Sequence, residues 1–300
     1  MRSNNKKTKI RKAGNSVQAR AVNPVLPEQT ENTGVELKLT PAVSMYVNTG
    51  NAQHQGARAY QEDSFGYSNL VDSKIVSEKG LLAILSDGMG GLSDGKFVSD
   101  FTVQNSIASF GAINPKLNIG NQLQNIALYV NKGICDKYAS TGGMSKAGAT
   151  VVMAYIFKNR IYWLAAGDSR LYCIRNRKMF QLNEDHDYKN RLFREYLEEG
   201  GSIREIEENP QKDSLVSFIG KEGLPAVDIG FKGYKIQPGD VFVLCSDGVY
   251  NAMSEDSIKD IILSCDAQTA SDTIVSQIAA MAHPGQDNMT IMVIKCEKQK

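Results

Sequence analysis

The residues Leu81–Ser86, LLAILS, are apolar at five of six positions and run directly into Asp87 and Gly88. Continuous apolarity, rather than alternation, predicts a strand buried on both faces. Val241–Cys245, VFVLC, repeats the design and also ends in Ser-Asp-Gly. Further strands are predicted at 43–47, at 57–67 around Tyr60, Phe65 and Tyr67, and at 290–295. Between residues 149 and 182, four apolar runs separated by short polar turns predict an antiparallel meander. Phe97, Phe101, Ile107 and Phe110 fall near helical spacing after Asp94, a fitting N-cap. Ile119, Leu123, Ile126, Val130, Ile134 and Tyr138 step by three or four and predict a second amphipathic helix. Helices are also expected at 188–199, 255–263 and 270–281. Strand blocks divided by a helix pair, with helices again near the end, predict an α+β fold of two antiparallel-rich sheets covered by helices.

Composition changes the picture at the N-terminus. Residues 1–42 are polar, are punctuated by Pro24, Pro27 and Pro41, and cannot bury enough apolar surface to offset their ordering entropy. They are expected to be a disordered basic tail, leaving 43–300 as the folded domain. A solvated tail is the plain reading; an electrostatic tether to an acidic partner or membrane surface is the alternative. Arg2, Lys6, Lys7, Lys9, Arg11, Lys12 and Arg20 stand in the first twenty residues without an acid, so the formal net charge of +1 leaves −6 for the rest. A mildly acidic body argues against a nucleic-acid partner. Five scattered cysteines argue against a disulfide framework and for a reducing, cytoplasmic setting. No apolar run reaches the roughly 20 residues of a transmembrane segment.

The candidate chemistry lies in the acids. A carboxylate at the end of a buried strand costs several kcal/mol unless a cation or donors compensate it. Two strand ends deliver Asp87 and Asp247, and Glu62, Asp63, Asp168 and Asp287 stand beside other strand-like runs. Such a cluster calls for divalent cations. With no His or Cys at metal-ligand spacing, oxygen ligands suit hard cations. Each feature also has a plain structural reading: Ser-Asp-Gly is an ordinary turn, Arg58 alone would be a surface ion pair, and Asp168 could cap the Gly167 turn. His54, His186 and His283 show no pairing pattern and read as loop or core residues.

Six motifs in series carry a resemblance. Arg58-Ala-Tyr-Gln-Glu62-Asp63, Ser86-Asp87-Gly88-Met89-Gly90-Gly91, Gly148-Ala149-Thr150, Gly167-Asp168-Ser169-Arg170, Ser246-Asp247-Gly248 and Asp287-Asn288-Met289-Thr290 resemble, in order, the metal-dependent Ser/Thr protein phosphatases of the type 2C (PPM) family, in its bacterial form. The resemblance spans about residues 43–296. It implies a four-layer α-β-β-α sandwich with two facing antiparallel sheets, and two tight Mn²⁺ or Mg²⁺ sites at one end. Asp87 would bridge the metals, Gly88 would offer its carbonyl, and Asp247 and Asp287 would hold the second ion. Glu62 would act through water with Asp63 behind it, and Asp168 would serve a weaker third site.

The implied activity is hydrolysis of phosphoserine and phosphothreonine in proteins, the substrates of a Ser/Thr kinase. Two cations bridged by one carboxylate can acidify a shared water to hydroxide, so no covalent intermediate is needed. Arg58 offers a planar fork to phosphate oxygens. Residues 188–225 would form a flap beside the site. Two departures stand out: Met89 where many eukaryotic relatives have a general-acid His, and Asp187 where Ser is usual after Asp-His. The alternative from another class is a catalytically silent adaptor of the same fold.

Overall fold

The computed structural model describes residues 35–40, 43–68, 73–90, 93–140, 147–200 and 202–298; residues 1–34 and Gly91 lie outside the described residues. The chain begins with β1 (Val35–Thr40), β2 (Val43–His54), β3 (Ser64–Tyr67), α1 (Ser73–Lys79), β4 (Leu81–Ser86) and β5 (Gly88–Met89). Two long helices follow, α2 (Ser93–Phe110) and α3 (Ile119–Ser140). Then come β6 (Gly148–Ala149), β7 (Val151–Phe157), β8 (Arg160–Ala166), β9 (Arg170–Arg175) and β10 (Lys178–Gln181). The irregular stretch carries α4 (Tyr188–Glu199), α5 (Ile203–Glu207), β11 (Asp228–Ile229) and β12 (Tyr234–Lys235). The chain closes with β13 (Val241–Cys245), α6 (Asp247–Tyr250), α7 (Glu255–Ser264), α8 (Ala267–Ala280) and β14 (Met289–Lys298).

Two antiparallel sheets hold all the strands but the short β5–β6 pair, one in the order β1-β2-β14-β13-β9-β10 and the other β11-β8-β7-β4-β3, with β12 also on β8. Alternate residues of each apolar strand divide between two environments. Leu81, Ala83 and Leu85 of β4 meet Phe242 and Leu244 of β13 and Met292 and Ile294 of β14 between the sheets. Leu82 and Ile84 turn outward onto Leu123, Val130 and Ile134 of α3. Val241, Val243 and Cys245 turn outward in the opposite sense, onto Ile258 of α7 and Ile274 of α8. The result is the four-layer α-β-β-α sandwich. It explains the unbroken apolar runs: both faces of β4 and β13 are dry. Each such Leu or Ile contributes about 1.5 to 3 kcal/mol of burial before entropy is counted. All five cysteines are free thiols.

Four expectations are corrected. The tail does not extend to residue 42, because 35–40 pairs with β2 from Val35 opposite Val47 to Thr40 opposite Val43. The sequence VELKLT alternates at period two, a strand signal outweighed by the polarity around it. The strand expected over 57–67 shrinks to β3, since the backbone of 55–62 bonds instead to Gln286 and Asn288. Asp94 does not cap α2 but lies inside its first turn. The meander over 149–182 is broken: β7 and β8 pair in one sheet and β9 and β10 in the other. The crossing is at Gly167, whose φ of 101° is open to glycine and strained for other residues.

Candidate metal centre and active site

Both Ser-Asp-Gly strand ends reach the same end of the sandwich. At the end of β4, Ser86 Oγ donates to the Thr150 carbonyl (2.6 Å), the Asp87 N–H donates to Thr150 Oγ1 (2.9 Å), and the Thr150 N–H returns to the Asp87 carbonyl (2.8 Å). Asp87 therefore leaves the strand with its backbone fixed. Gly88 is packed so closely that a Cβ there would lie 2.4 Å from the Gly95 carbonyl oxygen and 2.6 Å from that of Glu62. No other residue fits without moving α2.

At the end of β13, Ser246 Oγ donates to Asp63 Oδ2 (2.8 Å) and accepts the Thr290 N–H (3.0 Å), while Thr290 Oγ1 donates to the same carboxylate oxygen (2.7 Å). Asp63 thus sits behind Asp247, gripped by β13 and β14. The adjoining loop is held by one side chain: Asn288 accepts the Glu62 N–H (2.7 Å) and donates to the carbonyls of Gln55 (2.8 Å) and Tyr60 (2.9 Å). That bracket presents Arg58, Glu62 and Asp63 to the two strand ends.

The charges do not balance within the protein. The carboxyls of Asp63 and Asp247 both lie close enough to that of Asp87 to act on its charge. Burial, then the negative charges of Asp63, Asp247, Asp168 and Asp287, hold Asp87 well above the usual carboxylate range. Burial pushes Asp63 up to about 6 against the lowering effect of Thr290 and Ser246. Burial and then Asp247 push Asp168 up to about 7. Asp247 is raised by burial and then by Asp287, and Glu62 is raised by burial against the opposing Arg58. Glu62 Oε1, Asp63 Oδ1 and Asp247 Oδ1 are buried without a hydrogen-bond partner.

Three orphaned carboxylate oxygens around a buried acid fit hard divalent cations, which take oxygen ligands and keep waters. Among the described residues no three His, Cys, Asp or Glu side chains form a closed ligand set by themselves. The donor set is therefore one that carbonyls and water must complete, the usual condition for Mg²⁺-like ions. A groove of about 1000 Å³ between α2 and α8 shares only Asp63 with these acids, so it is not the site of the chemistry.

The expected residues gather unequally. Asp63 and Asp247 both bear on Asp87, and Asp168 bears on Asp87 and Asp247 from the crossing between the sheets. Arg58 stands at the rim, more than half exposed, and its Nη2 pairs with Asp287 Oδ2 at 2.5 Å. One donor of its fork is thus already engaged. The sequence reading left Asp187 without a role; it caps α4, its carboxylate accepting the Asn190 N–H at 2.6 Å. His54 and His283 accept local backbone N–H groups through Nδ1, and buried His186 is shifted down by desolvation, so none joins the acids. Ser246, Thr150, Asn288 and Thr290 lie within the six motifs, and the sequence alone assigns them no task. Their short polar side chains beside the acids were the available signal.

Comparison with known proteins gives this geometry a context. The sequence model of the family described as Protein phosphatase 2C matches residues 50–203. The serine/threonine phosphatase Stp of Listeria innocua is 30% identical over 243 residues, spanning 79% of this chain and 91% of the relative. The PPM Ser-Thr phosphatase MsPP from Mycobacterium smegmatis, solved with cacodylate, superposes with a TM-score of 0.65 at 26% identity, over 82% of this chain and 97% of that one. The catalytic domain of the phosphatase PstP, solved with two manganese ions, has a TM-score of 0.64 at 21% identity, over 84% of this chain and 99% of its own.

Proposed function

The chain belongs to the protein phosphatase 2C family and is a metal-dependent protein serine/threonine phosphatase using Mn²⁺ or Mg²⁺; we propose that Asp87, Asp247, Asp287 and the Gly88 carbonyl hold its two tight cations. Glu62 and Asp63 support that set, and Asp168 serves a weaker third cation. The observation that carries this assignment is the cluster of orphaned buried oxygens on Glu62, Asp63 and Asp247 around Asp87. When bound, the cations acidify a water and neutralise the phosphate it attacks.

The protein's own groups do the rest. Asp63, locked by Ser246 and Thr290, backs the Asp87 and Asp247 carboxylates from a fixed position. Arg58, on the exposed rim, receives the phosphate through the guanidinium donors that Asp287 leaves free, which sets the phosphorus in line for attack. Met89 follows Asp87-Gly88 and its thioether cannot protonate the departing alkoxide, so a cation-bound water or another side chain would supply that proton. The substrates are phosphoproteins, those of a Ser/Thr kinase, in a reducing cytoplasm that suits five free thiols. Residues 188–225 shape the choice of protein substrate, and the basic tail tethers the enzyme to an acidic partner.

Hydrolysis of para-nitrophenyl phosphate and of a phosphothreonine peptide, with Mn²⁺ and with chelator, tests the assignment when run on Asp87→Asn and Asp247→Asn. Chelator-sensitive turnover lost in both variants is the expected result. Full turnover in either would remove that acid from the site, and an inactive parent would favour the adaptor.

A further inference from the structure

Three consecutive carbonyls carry Asp168 into the cluster, and each is held from a different residue. The Gly167 carbonyl accepts the His186 N–H (2.9 Å), the Ser169 carbonyl accepts Asn183 Nδ2 (3.1 Å), and the Asp168 carbonyl accepts the Tyr250 hydroxyl (3.1 Å). The first two donors follow β10 and tie the crossing to its own sheet. The third does not. Tyr250 is the last residue of α6, the one-turn helix whose first residue is Asp247.

The Tyr250 ring has little freedom to leave. The Arg170 guanidinium lies 3.7 Å from its centroid. Arg170 is itself pinned, donating to Asp185 Oδ2 from Nε (3.0 Å) and Nη2 (2.8 Å) and to the Tyr172 hydroxyl from Nη1 (2.9 Å). The Tyr172 hydroxyl in turn donates to Glu255 Oε1 (3.0 Å). A ring so clamped transmits displacement instead of absorbing it.

We propose that Tyr250 is a positioning residue that couples the cation site at Asp247 to that at Asp168. Because the Tyr250 hydroxyl ties the Asp168 backbone to α6, whatever fixes α6 through Asp247 would also fix where the Asp168 carboxylate sits. The two sites therefore fill cooperatively, each raising the other's affinity by the same factor. The inference rests on the reading of Asp168 and Asp247 as cation-holding acids.

The test is Mn²⁺ titration by calorimetry on the full-length, metal-stripped protein without substrate, accompanied by thermal melts. Five proteins are compared: the parent, Tyr250→Phe, Asp168→Ala, their double variant and Arg170→Lys. Tyr250→Phe keeps the ring and its stack on Arg170 but loses one neutral hydrogen bond, so the weakest Mn²⁺ site should weaken by about three- to tenfold. The tight sites should stay within about twofold, and in the Asp168→Ala background the same change should have no further effect on Mn²⁺ binding. Arg170→Lys, which loosens the ring without touching its hydroxyl, should weaken the same site less. An unchanged weak site in Tyr250→Phe, or an equal loss of affinity with and without Asp168, would overturn the coupling and leave Tyr250 a core tyrosine. If Asp168→Ala left all Mn²⁺ binding unchanged, the Asp168 assignment would be what failed, and the coupling would fall with it.

Discussion

The two Ser-Asp-Gly turns share a tripeptide and a buried strand before it, yet the chain treats them differently. After Asp87 the backbone stays extended, pairing Gly88 with Ala149 in the β5–β6 ladder. After Asp247 it coils at once into α6. Ser86 spends its hydroxyl on the Thr150 carbonyl, a neutral bond that holds the strand end. Ser246 gives its hydroxyl to the Asp63 carboxylate, a charged bond that holds a second acid. The same three residues thus build a backbone clamp at one strand end and an acid scaffold at the other. What decides is the partner: Thr150 stands just before β7, the neighbour of β4 in the same sheet, whereas Asp63 precedes β3 of the sheet opposite β13.

The largest expected effect separates the two aspartates. On the proposed assignment Asp87 would serve both cations and Asp247 one, so Asp87→Asn and Asp247→Asn should both lower turnover roughly a hundredfold or more. Calorimetry should show the greater loss of bound Mn²⁺ in Asp87→Asn. Both metal-free variants should melt higher than the parent, because a buried, poorly compensated charge has become neutral. A lower metal-free melting temperature would contradict the electrostatic account of the cluster.

Next in size are the glycines. A Cβ at position 248 would lie 2.0 Å from the Asn288 carbonyl oxygen, and one at 88 would lie 2.4 Å from that of Gly95. Gly248→Ala and Gly88→Ala should each cost about 3 kcal/mol or more in urea melts, with Gly248→Ala the worse. Equal and small losses would mean that both strand ends yield more than the packing suggests.

The serines come third. Ser246→Ala removes a bond to a carboxylate and should cost about 1.5 to 3 kcal/mol, whereas Ser86→Ala should cost about 0.5 to 1.5. Reversal of that order would show the Asp63 bond to be the weaker.

A pH series sharpens the contrast between acids and backbone clamps. Asp63 and Asp168 are raised from 3.8 to about 6 and about 7, so the folded state without metal holds their protons more tightly than the unfolded chain. That stability is fully present below about pH 4 and is lost as pH rises through 6 and 7. The metal-free protein should therefore melt lower at pH 7.5 than at pH 5, and Mn²⁺ should raise the melting temperature most at the higher pH. A metal-free melting temperature that climbs over this interval would count against it.

The smallest effect is expected far from the site. Removing residues 1–34 should leave melting and small-substrate turnover nearly unchanged, while removing 1–40 also deletes β1 and bares the β2 edge at 43–47. Only the longer deletion should lower the melting temperature, by a few degrees at most. Identical melts would make β1 dispensable.

Much of the fold was legible because its signals are local. α4 and β13 begin and end at the residues expected, and the unbroken apolarity of Leu81–Ser86 correctly implied two dry faces. The broken meander was not legible, since the turn at Gly167 reads the same whether the chain continues in one sheet or crosses to the other. Nor was the first strand, whose alternating VELKLT lies in a stretch of polar composition.

By itself the sequence determined two antiparallel sheets covered by helices and two carboxylates at the ends of buried strands, because periodicity and an acid ending an apolar run are written residue by residue; the four-layer order came from the family resemblance. Only the tertiary structure decided which groups hold those acids in place. Asn288 brackets the 55–62 loop from 226 residues away from Glu62, Ser246 and Thr290 grip Asp63, and Asp287 claims one donor of Arg58. Such bonds join residues far apart in the chain. Nothing local distinguishes a serine that will meet a carboxylate from one that will meet a carbonyl; the packing of one sheet on the other makes that choice.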